Sequence, residues 1–174
     1  VPAAGNTEIA VPARSTIAVV LDEAALPGEK GGAGAIVQSA NGVPIVVERT
    51  VFYATEEMDG VASEVGSSEP TRRWFLGPAT SRPDTDSVVL LNPGGERATV
   101  SLTLLRPGRE PLEPARLSDL AIAGAARLRI PLSDLTGGEP YAVLVDASAP
   151  VVAERFSYSN GAGDVASLMG VPLD

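Results

Sequence analysis

The 174-residue chain carries a formal net charge of −9, has 4% aromatic residues, and contains neither cysteine nor histidine. Without thiols and imidazoles, disulfides, Ser-His-Asp and Cys-His catalysis and the usual zinc ligation are excluded. The negative charge repels a phosphate backbone, so we predict that the protein does not bind nucleic acid.

Short apolar or alternating runs, bounded by Gly, Pro, Asn or Asp, follow one another along the chain and are typical of strands. The predicted strands are Ile9 to Val11, Thr16 to Leu21, Gly34 to Gln38, Val43 to Tyr53, Trp74 to Leu76, Ser87 to Asn92, Ala98 to Leu105, Leu120 to Ala123, Arg127 to Leu132, Tyr141 to Asp146 and Val151 to Tyr158. Only 22–26 and 133–135 favour a helical turn. The pattern predicts an all-β protein with an antiparallel, Ig-like β-sandwich and under about 10% helix. No apolar run reaches membrane-spanning length, so we predict no membrane insertion by this segment.

Three segments of the first half of the chain occur again in the second half. "PIVVERT" at 44–50 matches "PVVAERF" at 150–156, an offset of 106 positions. "GVASEVG" at 60–66 matches "DVASLMG" at 164–170 with an offset of 104, and "IAVPARSTIAVVL" at 9–21 matches "LAIAGAARLRIPL" at 120–132 with an offset of 111. We interpret this as an internal repeat of about 105 residues, a size that suits one β-sandwich.

The two copies are unequal, because only the second has further strands upstream of the repeated segments. We therefore predict about one and a half tandem repeats. Residues 1–68 form the C-terminal half of one module, and residues 69–174 form a complete module. The first copy is either cut from a longer array or shares the sheet of its neighbour.

Four strings in the second copy carry a family resemblance: "WFL" at 74–76, "VVLLNPG" at 88–94, "ATVSLTLLRPG" at 98–108 and "PVVAERFSY" at 150–158. Together they resemble a family of tandem β-sandwich modules of unknown function from secreted or envelope-anchored proteins of actinobacteria and related bacteria. The resemblance covers Trp74 to Val171 as one module and roughly Ile9 to Gly66 as the end of another. It departs from the family pattern at "VVERT" and in the missing upstream half of the first copy. It implies an extracytoplasmic location and carries over no catalytic residue.

Each copy places an adjacent Glu and Arg inside an apolar run: Glu48 and Arg49 in the first, Glu154 and Arg155 in the second. Neighbouring strand residues point to opposite faces, so one charge of each pair faces inward and must be paired. We expect this charge to hold a buried loop backbone, such as the "VAS" segment that follows each copy. The alternative is that Arg49 and Arg155 bind an anion or a sugar.

A second candidate surface combines Arg72 and Arg73 with Trp74, the only tryptophan. It could stack on a carbohydrate, although a single Trp in a domain poor in aromatic residues is expected to anchor the core. Carboxylates at 56–59 and 83–86 could bind calcium weakly, but solvated loop charges are expected there. We predict no metal site and no cofactor.

Catalysis is also predicted to be absent. Lys30, the only lysine, lies in the Gly-rich stretch 28–34, where it should stay solvated and protonated. A hydrolytic carboxylate pair would need one acid in an apolar pocket, which the sequence does not indicate.

We therefore expect a non-catalytic module that serves as a scaffold or adhesive part of a bacterial envelope protein, with other envelope proteins as partners. The alternative is a carbohydrate-binding module that recognises envelope polysaccharide and assists a glycosyltransferase. An exposed Trp74 would favour the alternative, and a buried Trp74 would favour the scaffold.

Overall fold

A computed structural model describes residues 8–21, 34–54, 59–78, 85–135, 137–159 and 164–173. Within these residues the strands are β1 Glu48–Ala54, β2 Asp59–Val65, β3 Thr71–Leu76, β4 Thr85–Asn92, β5 Ala98–Leu105, β6 Leu120–Ile122, β7 Ala126–Pro131, β8 Ala142–Ser159, β9 Asp164–Met169 and β10 Val171–Pro172. The helical structure that is described is one short 3-10 turn, Ala115–Leu117. All strand pairs are antiparallel. The protein is therefore all-β, as predicted; the Ig-like topology stays a prediction.

Two details differ from the sequence prediction. Residues 133–135 form a turn and a bend instead of a helical turn, and 22–26 lies outside the described residues. The two "VAS" segments were expected as buried loops but belong to β2 and β9, because each pairs with the strand that precedes it. The part of the chain that the structure describes contains no helix that is long and apolar enough to cross a membrane.

The 18-residue strand β8 belongs to two groups of strands. Its first half lies between β3 and β5, and its second half lies between β4 and β9. Between the halves the register against β3 shifts, from Arg73 opposite Asp146 to Thr71 opposite Val151. Pro150 lies in this irregular stretch and has no N–H for a ladder. Bulges and bends of this kind let one strand pass from one sheet to another.

The hydrophobic core draws side chains from both groups of strands. Strict alternation on β5 buries Ala98, Val100, Leu102 and Leu104. These residues join one cluster with Trp74, Leu76, Val88, Leu90, Ile122, Ile130, Val143, Val145 and Val151. The core is mostly aliphatic, as the low aromatic content requires. Complete burial of each large aliphatic side chain is worth about 1.5–3 kcal/mol.

The loop after β4 is held by one buried amide. The Asn92 Nδ2 atom donates to the carbonyls of Glu96 at 2.8 Å and Ala123 at 3.1 Å, and its Oδ1 atom accepts from Gly94 N at 3.0 Å. Gly124 closes the same region, because a Cβ atom there would lie 2.1 Å from the Gly95 carbonyl oxygen. The "NPGG" turn is thus clamped from inside.

We expect Asn92→Ala to lower the free energy of unfolding by about 1–3 kcal/mol, because it leaves buried backbone groups without partners. Urea denaturation followed by Trp74 fluorescence measures this loss. Asn41→Ala is the matched control: Asn41 makes a similar bond to Val43 N at 3.2 Å, but it is exposed. The control should stay within about 0.5 kcal/mol of the parent. Equal losses in the two variants would contradict the clamp.

Contacts divide the chain into two units, Val1–Ala35 and Ile36–Asp174. The strands predicted at 9–11, 16–21 and 34–38 do not form, and the strand predicted from 43 begins only at Glu48. Ile36 and Val46 are 56% and 87% exposed. Alternation indicates which face of a strand is apolar, but a strand also needs a neighbour to complete its hydrogen bonds. Among the described residues, no strand pairs with these segments.

Despite this difference, the two Glu-Arg hairpins have one register. In β1–β2, Glu48 lies opposite Val65, and in β8–β9, Glu154 lies opposite Met169. The pairs that follow, as far as Tyr53 opposite Gly60, correspond one by one to those as far as Ser159 opposite Asp164, offset by 106 on the first strand and 104 on the second. These are the offsets of the repeated sequence segments.

Two further features outside the ladders also occur in both copies. Gly66 N donates to Val47 O at 3.0 Å, and Gly170 N donates to Ala153 O at 2.9 Å. Arg14 and Ala125, which the third offset aligns, both have a positive φ, 58° and 52°. Left-handed backbone is uncommon for non-glycine residues, so its presence at aligned positions supports the internal repeat. The boundary at residue 68 stays a prediction.

Candidate functional site

Arg155 and Asp86 form a buried ion pair between β8 and β4. Their side chains are 3% and 1% exposed. Arg155 Nε lies 3.0 Å from Asp86 Oδ1, and Nη2 lies 2.6 Å from Oδ2. Both ions are therefore joined by the parallel, two-bond geometry that makes Arg–carboxylate pairs strong and directional.

The remaining contacts of Arg155 hold the backbone of the protein. Nη1 donates to the carbonyls of Gly77, just after β3, at 2.5 Å and of Tyr141, just before β8, at 2.9 Å. The guanidinium carbon also lies 4.6 Å from the centroid of the Tyr141 ring, and the Tyr141 hydroxyl donates to Asp86. Arg155 thus holds buried backbone, as expected of the inward charge, but at Gly77 and Tyr141 instead of "VAS". The geometry favours this role over binding of an anion or a sugar.

Tyr141 makes this cluster sensitive to alkaline pH. Burial raises the pKa of the Tyr141 hydroxyl, and its hydrogen bond to Asp86 and the negative charge of Asp86 raise that pKa further. A phenol whose pKa is higher in the folded than in the unfolded state stabilises the fold below the unfolded pKa of about 10. This contribution is lost as the pH rises toward the folded pKa.

We therefore expect the parent to lose more unfolding free energy than Tyr141→Phe when the pH is raised from neutral to about 11. Denaturant titrations at several pH values, with Trp74 as the reporter, measure the difference. An identical alkaline loss in both proteins would contradict the coupling. At neutral pH, Tyr141→Phe leaves the two bonds between Arg155 and Asp86 in place.

On the opposite face of β8, Glu154 contacts the β1–β2 hairpin. Its side chain is 11% exposed and accepts from Arg49 of β1 and from the Ser167 hydroxyl of β9. Arg49 also donates to Ser167 Oγ at 3.2 Å, and the rings of Tyr53 and Phe156 lie 5.4 Å apart. The inward face of β1–β2 thus packs on the outward face of β8–β9.

Further arginines on β7 border this junction. The Arg129 guanidinium lies 5.5 Å from the centroid of the Phe156 ring, and its Nε donates to Ser87 Oγ at 3.1 Å. Burial lowers the pKa of Arg127, and the nearby Glu154 opposes that effect. Burial likewise raises the pKa of Tyr53. These shifts have the direction expected where water is partly excluded from between the hairpin and the sheet.

The residues of the predicted ligand surface do not form a stacking platform. Trp74 is 1% exposed, and its Nε1 donates to the carbonyls of Val151 at 2.9 Å and Thr71 at 3.2 Å. Arg72 and Arg73 are exposed on the same strand, and Arg73 pairs with Asp146 at 2.9 Å. Trp74 is therefore a core residue, and the indole ring cannot stack on a sugar from solvent.

Carboxylates do not gather into a metal site in the part of the chain that is described. Asp86, which was expected to be a solvated loop charge, is the buried partner of Arg155, because β4 begins at Thr85 and directs it inward. The side chains at 56–59, residue 84 and Lys30 lie outside the described part.

These features define an all-β protein of antiparallel strands in which the second of two repeated hairpins carries the buried Glu154 and Arg155. The chain belongs to DUF5719, a family of unknown function whose model matches residues 1–169. The match agrees with the predicted membership of a family of unknown function. No curated protein matches the sequence.

Solved structures that are similar to the chain include those of two proteins. The crystal structure of Thermotoga maritima 1070 has a TM-score of 0.50 and 19% identity, covering 60% of this chain and 96% of that one. The Anabaena sensory rhodopsin transducer has a TM-score of 0.43 and 19% identity, covering 52% and 99%. At this identity the first likeness concerns the fold alone, and no argument rests on the second.

Proposed function

We propose that the protein is a non-catalytic, extracytoplasmic part of a bacterial envelope protein, where it serves as a scaffold or an adhesive surface. It is built of tandem modules, and its partners are other envelope proteins. The observation that supports this proposal is the use of its buried charges. Arg155, Asp86 and Glu154 are bonded to strands and backbone of the same chain. Their chemistry serves the stability of the protein.

The exposed surface supports the same proposal. On β1–β2, Phe52 is 79% exposed, Val61 54% and Val65 52%. These side chains lie on one face of the hairpin. Phe52 is opposite Val61 in the ladder, and Val65 is four positions from Val61 on the same strand, an even spacing that keeps it on the same face. Exposed apolar side chains grouped on one face favour a role in interactions with other surfaces.

Two measurements test this proposal. In the bacterium that encodes the protein, the tagged gene product should be cleaved by protease added to intact cells, which reports an extracytoplasmic location. The purified protein should show no turnover of generic ester, peptide or glycoside substrates. A protease-resistant tag that becomes sensitive only after lysis would contradict the location. Turnover that a single Asp or Glu substitution abolishes would contradict the non-catalytic role.

The alternative proposal is that the protein recognises envelope polysaccharide and assists a glycosyltransferase. One observation supports it. Arg72 and Arg73 are adjacent, exposed cations on β3. Calorimetry with purified anionic envelope polysaccharide tests it. Saturable binding that the Arg72→Ala, Arg73→Ala double variant weakens would favour the alternative, and the same heat in both proteins would exclude this pair as the ligand surface.

A further inference from the structure

The junction between the two hairpins follows a pattern of residue types. The outward face of β8–β9 contributes Glu154 and Ser167 as polar partners and Phe156 as an aromatic partner. The inward face of β1–β2 contributes Arg49 and Tyr53, which lie four positions apart on one strand. One hairpin therefore acts as the receiver and the other as the donor of the arginine.

The outward face of β1–β2 repeats much of the receiver pattern. By the register of the two ladders, Glu48 occupies the position of Glu154, and Ser63 occupies the position of Ser167. The other residues of this face are also matched: Phe52 takes the place of Tyr158, Val61 of Val165, Val65 of Met169, and Thr50 of Phe156. The carboxylate and hydroxyl that bind an arginine in one hairpin are thus present in the other.

The two receiver faces differ in what covers them. On β8–β9, the exposed fractions of Glu154, Phe156 and Tyr158 are only 8%, 7% and 6%. On β1–β2, the corresponding Glu48 and Thr50 are exposed, and Phe52 is 79% exposed. Among the described residues, Glu48 has no ion-pair partner. The Glu and Ser of the receiver pattern are therefore present in both copies, but the face that carries them is covered in one copy and open in the other.

We propose that the outward face of β1–β2 binds the inward face of a further repeat hairpin, one that carries Arg at the position of Arg49 and an aromatic residue at the position of Tyr53. The arginine would bond to Glu48 and Ser63, and the aromatic ring would cover the apolar face beside Phe52. This inference rests on the proposed scaffold function and names its partner. Successive hairpins would then stack, each as receiver for the next.

A second copy of this chain does not offer the required donor. Its Arg49 is already bonded to its own Glu154, and its Arg155 is buried in the pair with Asp86. Moving Arg49 from Glu154 to the Glu48 of another copy would exchange one ion pair for another, so self-association would gain no ion pair. The occupant is therefore the hairpin of another repeat.

A tandem variant tests the proposal. A second copy of residues 36–69 is inserted immediately before residue 36 and joined to it by a long flexible Gly/Ser linker. The added copy then offers its arginine to the receiver face at high effective concentration. The receiver carries Phe52→Trp, and the spectrum of the same tandem protein with Phe52 is subtracted to remove Trp74. We expect the fluorescence of the tryptophan at position 52 to shift to the blue and to be quenched less by acrylamide than in the Phe52→Trp variant without the added copy.

Charge exchange supplies the controls. Arg49→Glu in the added copy, or Glu48→Arg in the receiver, should remove the protection, and the two changes together should restore it. Circular dichroism verifies that each variant keeps its strands. A tandem protein without protection, or with protection indifferent to the charges, would overturn the proposal. So would a concentration-dependent blue shift in the untandemed reporter, which would indicate self-association instead. Turnover and localisation of the unmodified protein test the scaffold function separately.

Discussion

Arg155→Ala is expected to lower the free energy of unfolding by about 3–5 kcal/mol, the usual cost of removing one partner of a buried ion pair. The Asp86 carboxylate would remain inside the protein with its charge uncompensated, because its side chain is 1% exposed. The carbonyls of Gly77 and Tyr141 would also lose a donor. Urea denaturation, followed by the fluorescence of the single Trp74, measures the loss.

Two comparison variants separate this effect from a general loss of charge. Arg73→Ala removes an arginine from an ion pair whose side chains are 52% and 53% exposed, and should cost about 0–1 kcal/mol. Arg155→Met combined with Asp86→Leu should be less destabilising than Arg155→Ala alone, because no unpaired charge stays buried. A loss in Arg155→Ala no greater than in Arg73→Ala would contradict the structural role of the pair.

Arg49→Ala should be milder than Arg155→Ala, although the two arginines occupy the same position in the repeat. The Arg49 side chain is 42% exposed, so water screens much of its interaction with Glu154. Glu154 would also keep the hydroxyl of Ser167 as a donor. Denaturation in low and high salt should show a salt-dependent loss for Arg49→Ala, and an equal, salt-independent loss in both variants would contradict this reasoning.

Trp74→Ala is the second change with a large expected effect, about 3–5 kcal/mol. The indole ring is 1% exposed, and its N–H ties β3 to the carbonyl of Val151 where β8 is irregular. Packing around the ring is tight, since a Cβ atom at Gly170 would lie 2.9 Å from Trp74 Cε3. The substitution removes the ring, leaves a cavity and deprives a buried carbonyl of its donor.

Far-ultraviolet circular dichroism during thermal and urea unfolding measures this loss, because the variant has no tryptophan to report it. Trp74→Phe should be milder, since it keeps an aromatic ring and loses mainly the N–H donor. Phe52→Ala is the matched control: Phe52 is 79% exposed, and its removal should change stability by no more than about 0.5 kcal/mol. Equal effects of Trp74→Ala and Phe52→Ala would contradict the core role of Trp74.

Local pattern determined much of the strand content of the second copy. Alternation over Ala98–Leu105 and the turn residues around it depend only on neighbouring positions, and β5 forms where it was predicted. The repeated hairpin was also visible as two sequence offsets, because the paired strands keep one register while the connection between them is two residues shorter in the second copy. The strands β2 and β9 were missed, since the three residues of "VAS" are too few to show an alternation and pair only through their hairpin.

The candidate site depended on contacts between distant parts of the chain. In the sequence Asp86 belongs to the carboxylate-containing stretch 83–86, and only the pairing of β4 with β8 brings it to Arg155. The expectation of one inward and one outward charge holds for the direction of the side chains. Both are nevertheless buried in the second copy, because the core surrounds Arg155 and the other hairpin lies against Glu154.

The sequence by itself determined the all-β class, the absence of thiol and imidazole chemistry and the repeat that links Glu48 and Arg49 to Glu154 and Arg155. Only the tertiary structure decided which of these charges are buried, which partners they bind and which apolar runs become strands. The physical reason is that composition and periodicity are properties of neighbouring residues. Burial, ion pairing and the sheet ladder require a second segment, and the apolar runs at 9–21 and 34–47 find no strand partner among the described residues.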